Sequence, residues 1–400
     1  MFIEILLAIC CGVICGIFTG LTPGIHINLI SLLLLSAAPF LSSFFSLLAL
    51  ACFIISMSVT HTFLDSIPSI YLGAPDSSQA LGVLPGHRYL LAGHGFTALF
   101  LTVIGSFGGL VLSVFLFPLF AFIAKHGYIF ISKFIGFILL AVVIFMILRD
   151  NKKLWALLVF SLSGVLGFIV MNMPNLKNPL FPLLSGLFGV STLLISLNDN
   201  TTMPVQKVET FVKLPKKTLF KALFSGQFSG FLTAVLPGVG ASTAAVLSLQ
   251  ITRKLGDKGF MVLIGSINTV NFVLSIATLL VLQKARNGAV IVVQKLVETI
   301  SFFQVVVFLS VALISGSVAV FLALKIGKVF SKVITVVNYR KLILSIILLI
   351  VFLTVLLSGM LGLLVLICSI AVGLIPAIVK TTRTQAMGCI MVPVMIYFLL

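Results

Sequence analysis

The chain has 400 residues, of which 60% are hydrophobic and 8% charged, and its mean hydropathy is +1.32. An ordinary soluble domain carries about a quarter charged residues, so a water-soluble globular fold is excluded. The formal net charge of +17 would point to nucleic acid in a soluble protein, but here Lys and Arg cluster between apolar stretches, where they act as topology signals.

Apolar stretches of roughly 17 to 25 residues, enough to cross about 30 Å of hydrocarbon as helix, recur along the chain. With no water to satisfy backbone groups, they must be helices, and the fold class is an all-α integral membrane protein. In chain order the pattern predicts a broken, re-entrant helical hairpin near 4–40, a span near 44–64 and a polar excursion at 65–95. Spans follow near 97–124, 128–148, 154–173 and 180–197, then a basic stretch at 198–221. The second half gives a broken hairpin at 222–252, a span at 259–283, a polar excursion at 284–298 and a span at 300–324. After a basic stretch at 325–341 come spans near 342–358, 361–379 and 384–400. The element order repeats, dividing the chain into a first membrane repeat (1–200), a basic cytoplasmic connector (201–221) and a second membrane repeat (222–400). The first 20 residues lack the basic start of a signal peptide and carry Glu4, so they read as a helix of the mature protein. All six cysteines lie inside apolar runs without metal-ligand spacing, as small packing residues do.

Self-similarity is the most informative signal. Gly12, Gly16, Thr19, Pro23 and Gly24 follow the pattern G-x3-G-x2-T-x3-P-G, and Gly226, Gly230, Thr233, Pro237 and Gly238 repeat it at a constant offset of 214 residues. Two glycines four apart let a neighbouring backbone approach closely. Pro-Gly then breaks the helix inside the apolar run, and the next helix begins with free N–H groups and a positive dipole end. Such an end suits an anion. Polar residues flank both breaks: Thr22, His26 and Asn28 in the first copy, Gly240, Ser242 and Thr243 in the second. Broken helices at matching positions of two halves point to a transport site; the plainer reading is a pair of packing kinks.

If each hairpin returns to its own side, five spans remain per half, an odd number, so the second half is inverted. Placing the basic connector in the cytoplasm puts nineteen Lys and Arg inside and six outside, in keeping with the positive-inside rule. Two full crossings per hairpin would satisfy the same count.

Charges inside apolar surroundings are costly and usually functional. The first excursion offers His61, Asp65, Asp76, His87 and Arg88; the corresponding second region offers Asn268, Thr269, Asn271, Lys284 and Arg286. His61 and Asp65 are one helical turn apart and suit ion coupling, with Asp76 nearby, or a structural polar pair. Lys284 and Arg286 suit an anionic substrate, or snorkel to an interface. Asn268 and Asn271 line a path or bridge helices. The sequence has no HExxH, no G-x-S-x-G and no P-loop, and no spacing of a standard metal site, so no enzyme is expected.

The segments GIFTGLTPGIHIN, GQFSGFLTAVLPGVGAST, THTFLDSIPSIYLGAPD and LPGHRYLLAGHG, with the INT-to-KARNGA stretch, resemble the TctA family, the large membrane subunit of tripartite tricarboxylate transporters, in its shorter archaeal-type branch. The resemblance covers nearly the whole chain. It implies a secondary carrier of carboxylates driven by an H+ or Na+ gradient, with no other cofactor. In better-known relatives a small membrane subunit and an external solute-binding protein assist. Carried over by position, its site comprises Pro23, Gly24, Asn28, Pro237, Gly238, Ser242 and Thr243. Two departures stand out: His26 in the first motif faces Gly240 in the second, and the chain is shorter than the large subunits of the tripartite systems. The expected surroundings are the bilayer of the cell membrane, a small anionic substrate and a possible homodimer, with no nucleic acid. The alternative function is a flippase for an anionic carrier lipid such as a polyprenyl phosphate; a non-transport scaffold is third.

Overall fold

The computed structural model describes residues 2–22, 27–73, 83–198, 204–208, 212–236, 240–241, 244–246, 248, 252, 255–336 and 339–399, and no strand occurs among them. The first half opens with α1 (Phe2–Leu21) and α2 (Ile27–Leu41). It continues with α3 (Leu47–Leu64), extended by a π-helical turn at Pro68–Leu72, then α4 (Val83–Leu91) and α5 (Gly95–Phe115). Next come α6 (Phe117–Ser132), α7 (Ile135–Arg149), α8 (Lys153–Met171), and α9 (Leu180–Leu184) joined through a π-helical turn to α10 (Ser191–Asn198). The second half has α11 (Lys216–Val235), α12 (Gly256–Leu282), α13 (Gly288–Val297), α14 (Phe302–Val336), α15 (Tyr339–Val379) and α16 (Gly388–Leu399). Seven of the described helices are long and apolar enough to cross a bilayer.

Four expected boundaries move. The first excursion begins as buried helix, because α3 carries on to Leu72 with Ser69, Ile70 and Tyr71 inside the protein. The second contains α13, whose Val290, Val292, Val293 and Leu296 pack into the core. The basic stretch at 325–341 is largely helix: at about 1.5 Å per residue the 35 residues of α14 reach about 50 Å, well past the hydrocarbon thickness. The spans expected at 342–358 and 361–379 are the two arms of α15, separated at Gly359, whose φ of 69° suits only a residue without a side chain. The expected first hairpin consists of a full-length α1 followed by a 15-residue α2.

Packing follows the small residues. A side chain at Gly12 or Gly16 of α1 would strike α3 at Ser56 or Thr60, with Cβ distances of 2.7 and 2.6 Å. A side chain at Gly230 of α11 would lie 2.5 Å from Val270 of α12, and one at Gly226 would strike Ser266. The same clasp therefore occurs once in each half. The halves also exchange contacts: α5 of the first lies along α12 of the second, and α14 of the second lies along α3 of the first. Where α5 crosses α12, Gly105 faces the carbonyl of Val262 and Gly265 faces that of Thr102, leaving no room for a Cβ on either helix.

The buried helices α3 and α12 form the centre, and α1, α8, α14 and α15 turn apolar faces outward, exposing Phe18, Leu154, Phe321 and Met360. Polar seams lock the centre, because a hydroxyl or amide inside the bundle must find a partner. Thr62 and Thr269 share a hydrogen bond at 3.0 Å, Ser315 donates to Ser56 at 2.9 Å, and Gln227 donates to the carbonyl of Gly109 at 2.7 Å. At one end, Glu4 of α1 accepts from the N–H of Ser46, whose hydroxyl caps α3 by accepting from Ala49. Asp150, between α7 and α8, accepts from the hydroxyls of Thr381 and Thr382 and the N–H of Thr382, tying α7–α8 to the segment before α16. Burial raises the Asp150 pKa, but hydrogen bonds from Thr382, Lys152 and Thr381 outweigh it and hold the carboxyl well below the usual carboxylate range.

Candidate functional site

A cavity of about 520 Å³ opens where the two halves meet. Its polar wall is assembled from five elements. The start of α2 brings Ile27 and Asn28, α3 brings His61 and Thr62, α11 brings Thr233, α12 brings Asn268 and Asn271, and the segment entering α13 brings Arg286, Asn287 and Gly288. Gly240 and Ala241 add the beginning of the helical segment after α11, where the N–H of Ala244 donates to the carbonyl of Gly240 at 3.0 Å. Asn268 and Asn271 lie near the middle of α12, and His61 lies in the last turn of α3, ahead of its π-helical extension.

Two helix beginnings, those of α2 and α13, thus meet one cavity, and a helix beginning carries N–H groups without intrahelical acceptors and the positive end of a peptide dipole. Their local geometry has sequence causes. Asn287 adopts an extended backbone and caps α13 by accepting from the N–H of Ala289 at 3.0 Å. Gly288 leaves space for Asn28: a Cβ there would come within 2.6 Å of the Asn28 amide. Arg286 donates to the Tyr128 hydroxyl at 2.7 Å, with its guanidinium carbon 5.9 Å from the ring centre, so the cation is held by α6 at the cavity edge.

Behind this wall lies a second layer. Asn268 donates to the carboxylate of Asp65 at 2.5 Å, and Asp65 is 2% exposed. His61, 3% exposed, shares a hydrogen bond at 3.1 Å between its Nδ1 and the Thr19 hydroxyl, and Thr19 in turn donates to the carbonyl of Gly16. Thr233 makes the equivalent bond to Gly230 at 2.7 Å. These two side-chain bonds of His61 and Asp65 reach other helices, and Asn268 belongs to both the cavity wall and the carboxylate.

The structure brings together Asn28, Gly240, Asn268, Asn271 and Arg286 of the expected substrate residues, with His61 beside them and Asp65 one contact behind. Two others sit elsewhere: Thr22 ends α1 with its N–H on the carbonyl of Phe18, and Lys284 is exposed and off the cavity lining. Pro23, Gly24, His26, Asp76, Pro237, Gly238, Ser242 and Thr243 lie outside the described residues. Sequence reasoning passed over Thr62, Thr233, Asn287 and Gly288. Signals for all four were present: Thr62 neighbours His61, Thr233 belongs to the repeated motif, and Asn287-Gly288 before an apolar run marks a helix start. The wall supplied by Met171, Leu180 and α16 carries no such signal, being apolar sequence among apolar sequence. No group of three or more potential metal ligands gathers among the described residues.

A multi-pass helical bundle with a polar cavity between two similarly clasped helix pairs belongs to the class of membrane transport components. The chain matches the family described as the tripartite tricarboxylate transporter TctA family over residues 6–388, and it belongs to that family, a transporter component and not an enzyme. It is also 30% identical over 406 aligned residues to an uncharacterised protein of Methanocaldococcus jannaschii, an alignment covering 98% of this chain and 99% of that one. No solved structure matches the chain.

Proposed function

We propose that the protein is a secondary transporter that moves a small anionic carboxylate across the cell membrane by alternating access between two inverted halves. The observation that carries this reading is the convergence of Arg286 and the beginnings of α2 and α13 on one cavity lined by both halves. A carboxylate there would find a guanidinium, backbone N–H groups and the amides of Asn28, Asn268 and Asn271 as donors, without needing bulk water. The matched clasps and exchanged contacts support two structurally related halves, and the nineteen-to-six distribution of Lys and Arg supports their opposite orientation.

Coupling to H+ or Na+ is assigned to the layer behind the wall. Asp65 is a buried carboxylate held by a side chain that itself faces the substrate, so binding of a cation at one is felt at the other through Asn268. His61, on the same helix turn, lines the cavity and is the second candidate for proton movement. The family's three-part systems support a small membrane subunit and an external solute-binding protein as partners.

Reconstitution tests the proposal. Purified protein in liposomes, alone or with those partners, should accumulate a labelled carboxylate when an H+ or Na+ gradient is imposed, and Arg286→Gln should lower that uptake. Absence of gradient-driven uptake for every carboxylate in a broad panel would overturn it. A cysteine introduced at 204–208 should react only after permeabilisation; labelling in intact cells would reverse the orientation.

A further inference from the structure

The outward face of α14 changes character along its length. Phe303, Ile314, Val318 and Phe321 are exposed at helical spacing, which puts them on one stripe. The same stripe continues through Lys325, Lys328 and Lys332, all exposed. Ser310 also lies on it, and its hydroxyl turns back to donate to the carbonyl of Val306 at 2.8 Å, as a hydroxyl facing hydrocarbon does. From Phe302 to Leu324 the helix carries no charge, a length of about 34 Å at about 1.5 Å per residue, so the first lysine falls where about 30 Å of hydrocarbon ends. The buried side of the same turns is fixed. Tyr71 donates to the carbonyl of Gly327 at 3.3 Å and shares a hydrogen bond with Ser331 at 2.6 Å, so α14 cannot rotate to carry the lysines off this face. After Glu298 the sequence holds no Asp or Glu but seven Lys and Arg. Among the described residues no carboxylate pairs with Lys325, Lys328 or Lys332.

We infer that the basic end of α14 holds the headgroup of an anionic phospholipid, whose acyl chains lie along Phe321, Val318 and Ile314. Lipid that covers the apolar stripe places its phosphate at the level where that stripe ends, within reach of the lysine ammoniums. A zwitterionic headgroup carries its own cation and offers these lysines no net charge; an anionic one does. Snorkelling to an interface needs a single cation at a helix end. Three on one stripe, spread over about 10 Å of helix in a stretch without acids, set up a positive potential that draws anionic lipid out of the mixed bilayer. A second copy of this chain seated on the same face by a two-fold axis would set the lysines against their own equivalents, and that repulsion disfavours it. The lipid contact lies outside the cavity and is independent of what the cavity carries.

The chain's single tryptophan, Trp155, allows a local test. Phe321→Trp in a Trp155→Phe background places one indole on the stripe of the full-length protein, reconstituted in mixed vesicles of phosphatidylcholine and phosphatidylglycerol with identical acyl chains. Brominating one lipid or the other reads, from quenching, the relative affinity of each for that face. Phosphatidylglycerol should be preferred by about fivefold for each lysine that reaches its headgroup, and the preference should shrink as salt is raised. Replacing Lys325, Lys328 and Lys332 together by Gln should bring the ratio close to one, whereas replacing all three by Arg should retain it. A tryptophan at the other end of the stripe, Phe303→Trp, should show no such preference. Equal quenching by the two lipids at position 321, the same preference at position 303, or a preference that survives the triple Gln change would each overturn the inference. So would an indole at position 321 that neither brominated lipid quenches, since the face would then be covered by protein. The salt response and the triple Arg variant keep the test open should the Gln variant fail to fold.

Discussion

The two clasped helix pairs are built alike and equipped differently. In the first, glycines of α1 seat Ser56 and Thr60 of α3; in the second, glycines of α11 seat Ser266 and Val270 of α12. The glycine helices are offset by 214 residues and their partners by 210, so His61, opposite Thr19, corresponds to Asn271, near Thr233. One half places an imidazole and the carboxylate of Asp65 at the end of α3, and the other places amides, with Arg286 added from the segment before α13. A shared backbone plan therefore carries unlike side chains: an imidazole and a carboxyl group in one half, and permanent dipoles and a fixed cation in the other. The repeat governs where the site lies, and its departures from symmetry govern what the site holds.

That comparison can be broken most severely at the clasps. Gly16→Leu and Gly230→Leu should each cost more than about 4 kcal/mol, since neither helix can move away without giving up its whole interface. Thermal denaturation in detergent would register this, and near-native stability of either variant would mean that the clasps are not equivalent. Arg286→Gln should lower kcat/KM for uptake roughly 10- to 100-fold with little change in stability, because its described partner is the Tyr128 hydroxyl and the residue is only half-buried. Exchanging the unlike positions sharpens the contrast. His61→Asn should flatten the pH profile of transport across the range in which imidazoles titrate, and Asn271→His should introduce a new limb; an unchanged profile in both would remove His61 from coupling. The smallest effect is expected at Asp150. A carboxyl whose folded pKa lies below its unfolded value of about 4 contributes stability that is present above that pH and lost as pH falls toward the folded value. Asp150→Asn should therefore lose stability at neutral pH and show a weaker acid dependence, measured by melting curves between pH 7 and 3.

Much of this was legible from residue types and spacing. The glycine pairs located both clasps, and the Asn and Arg residues standing out from apolar sequence located most of the polar wall. The polar excursions were legible as interruptions but not as structure: α13 is apolar enough to be buried, yet its ten residues are too few to register as a span. The ends of helices such as α14 escaped for a related reason, since Lys325, Lys328 and Lys332 project outward from a helix that the bilayer does not need to terminate. The partners of His61 and Asp65 were beyond local reasoning. Thr19 and Asn268 reach them from 42 and 203 residues away. The apolar wall from α16 was silent because nothing distinguishes a valine facing a cavity from one facing lipid.

The crossing of α5 and α12 has a mechanical meaning. With Gly105 against the carbonyl of Val262 and Gly265 against that of Thr102, two rods from different halves meet backbone to backbone, and Ser106 bridges them by donating to the carbonyl of Gly265 at 3.1 Å. Sliding there would drive a carbonyl into an α-carbon. The pair forms a fulcrum, and displacement during any rocking grows with distance from it, smallest beside the glycines and largest at the far ends of the helices.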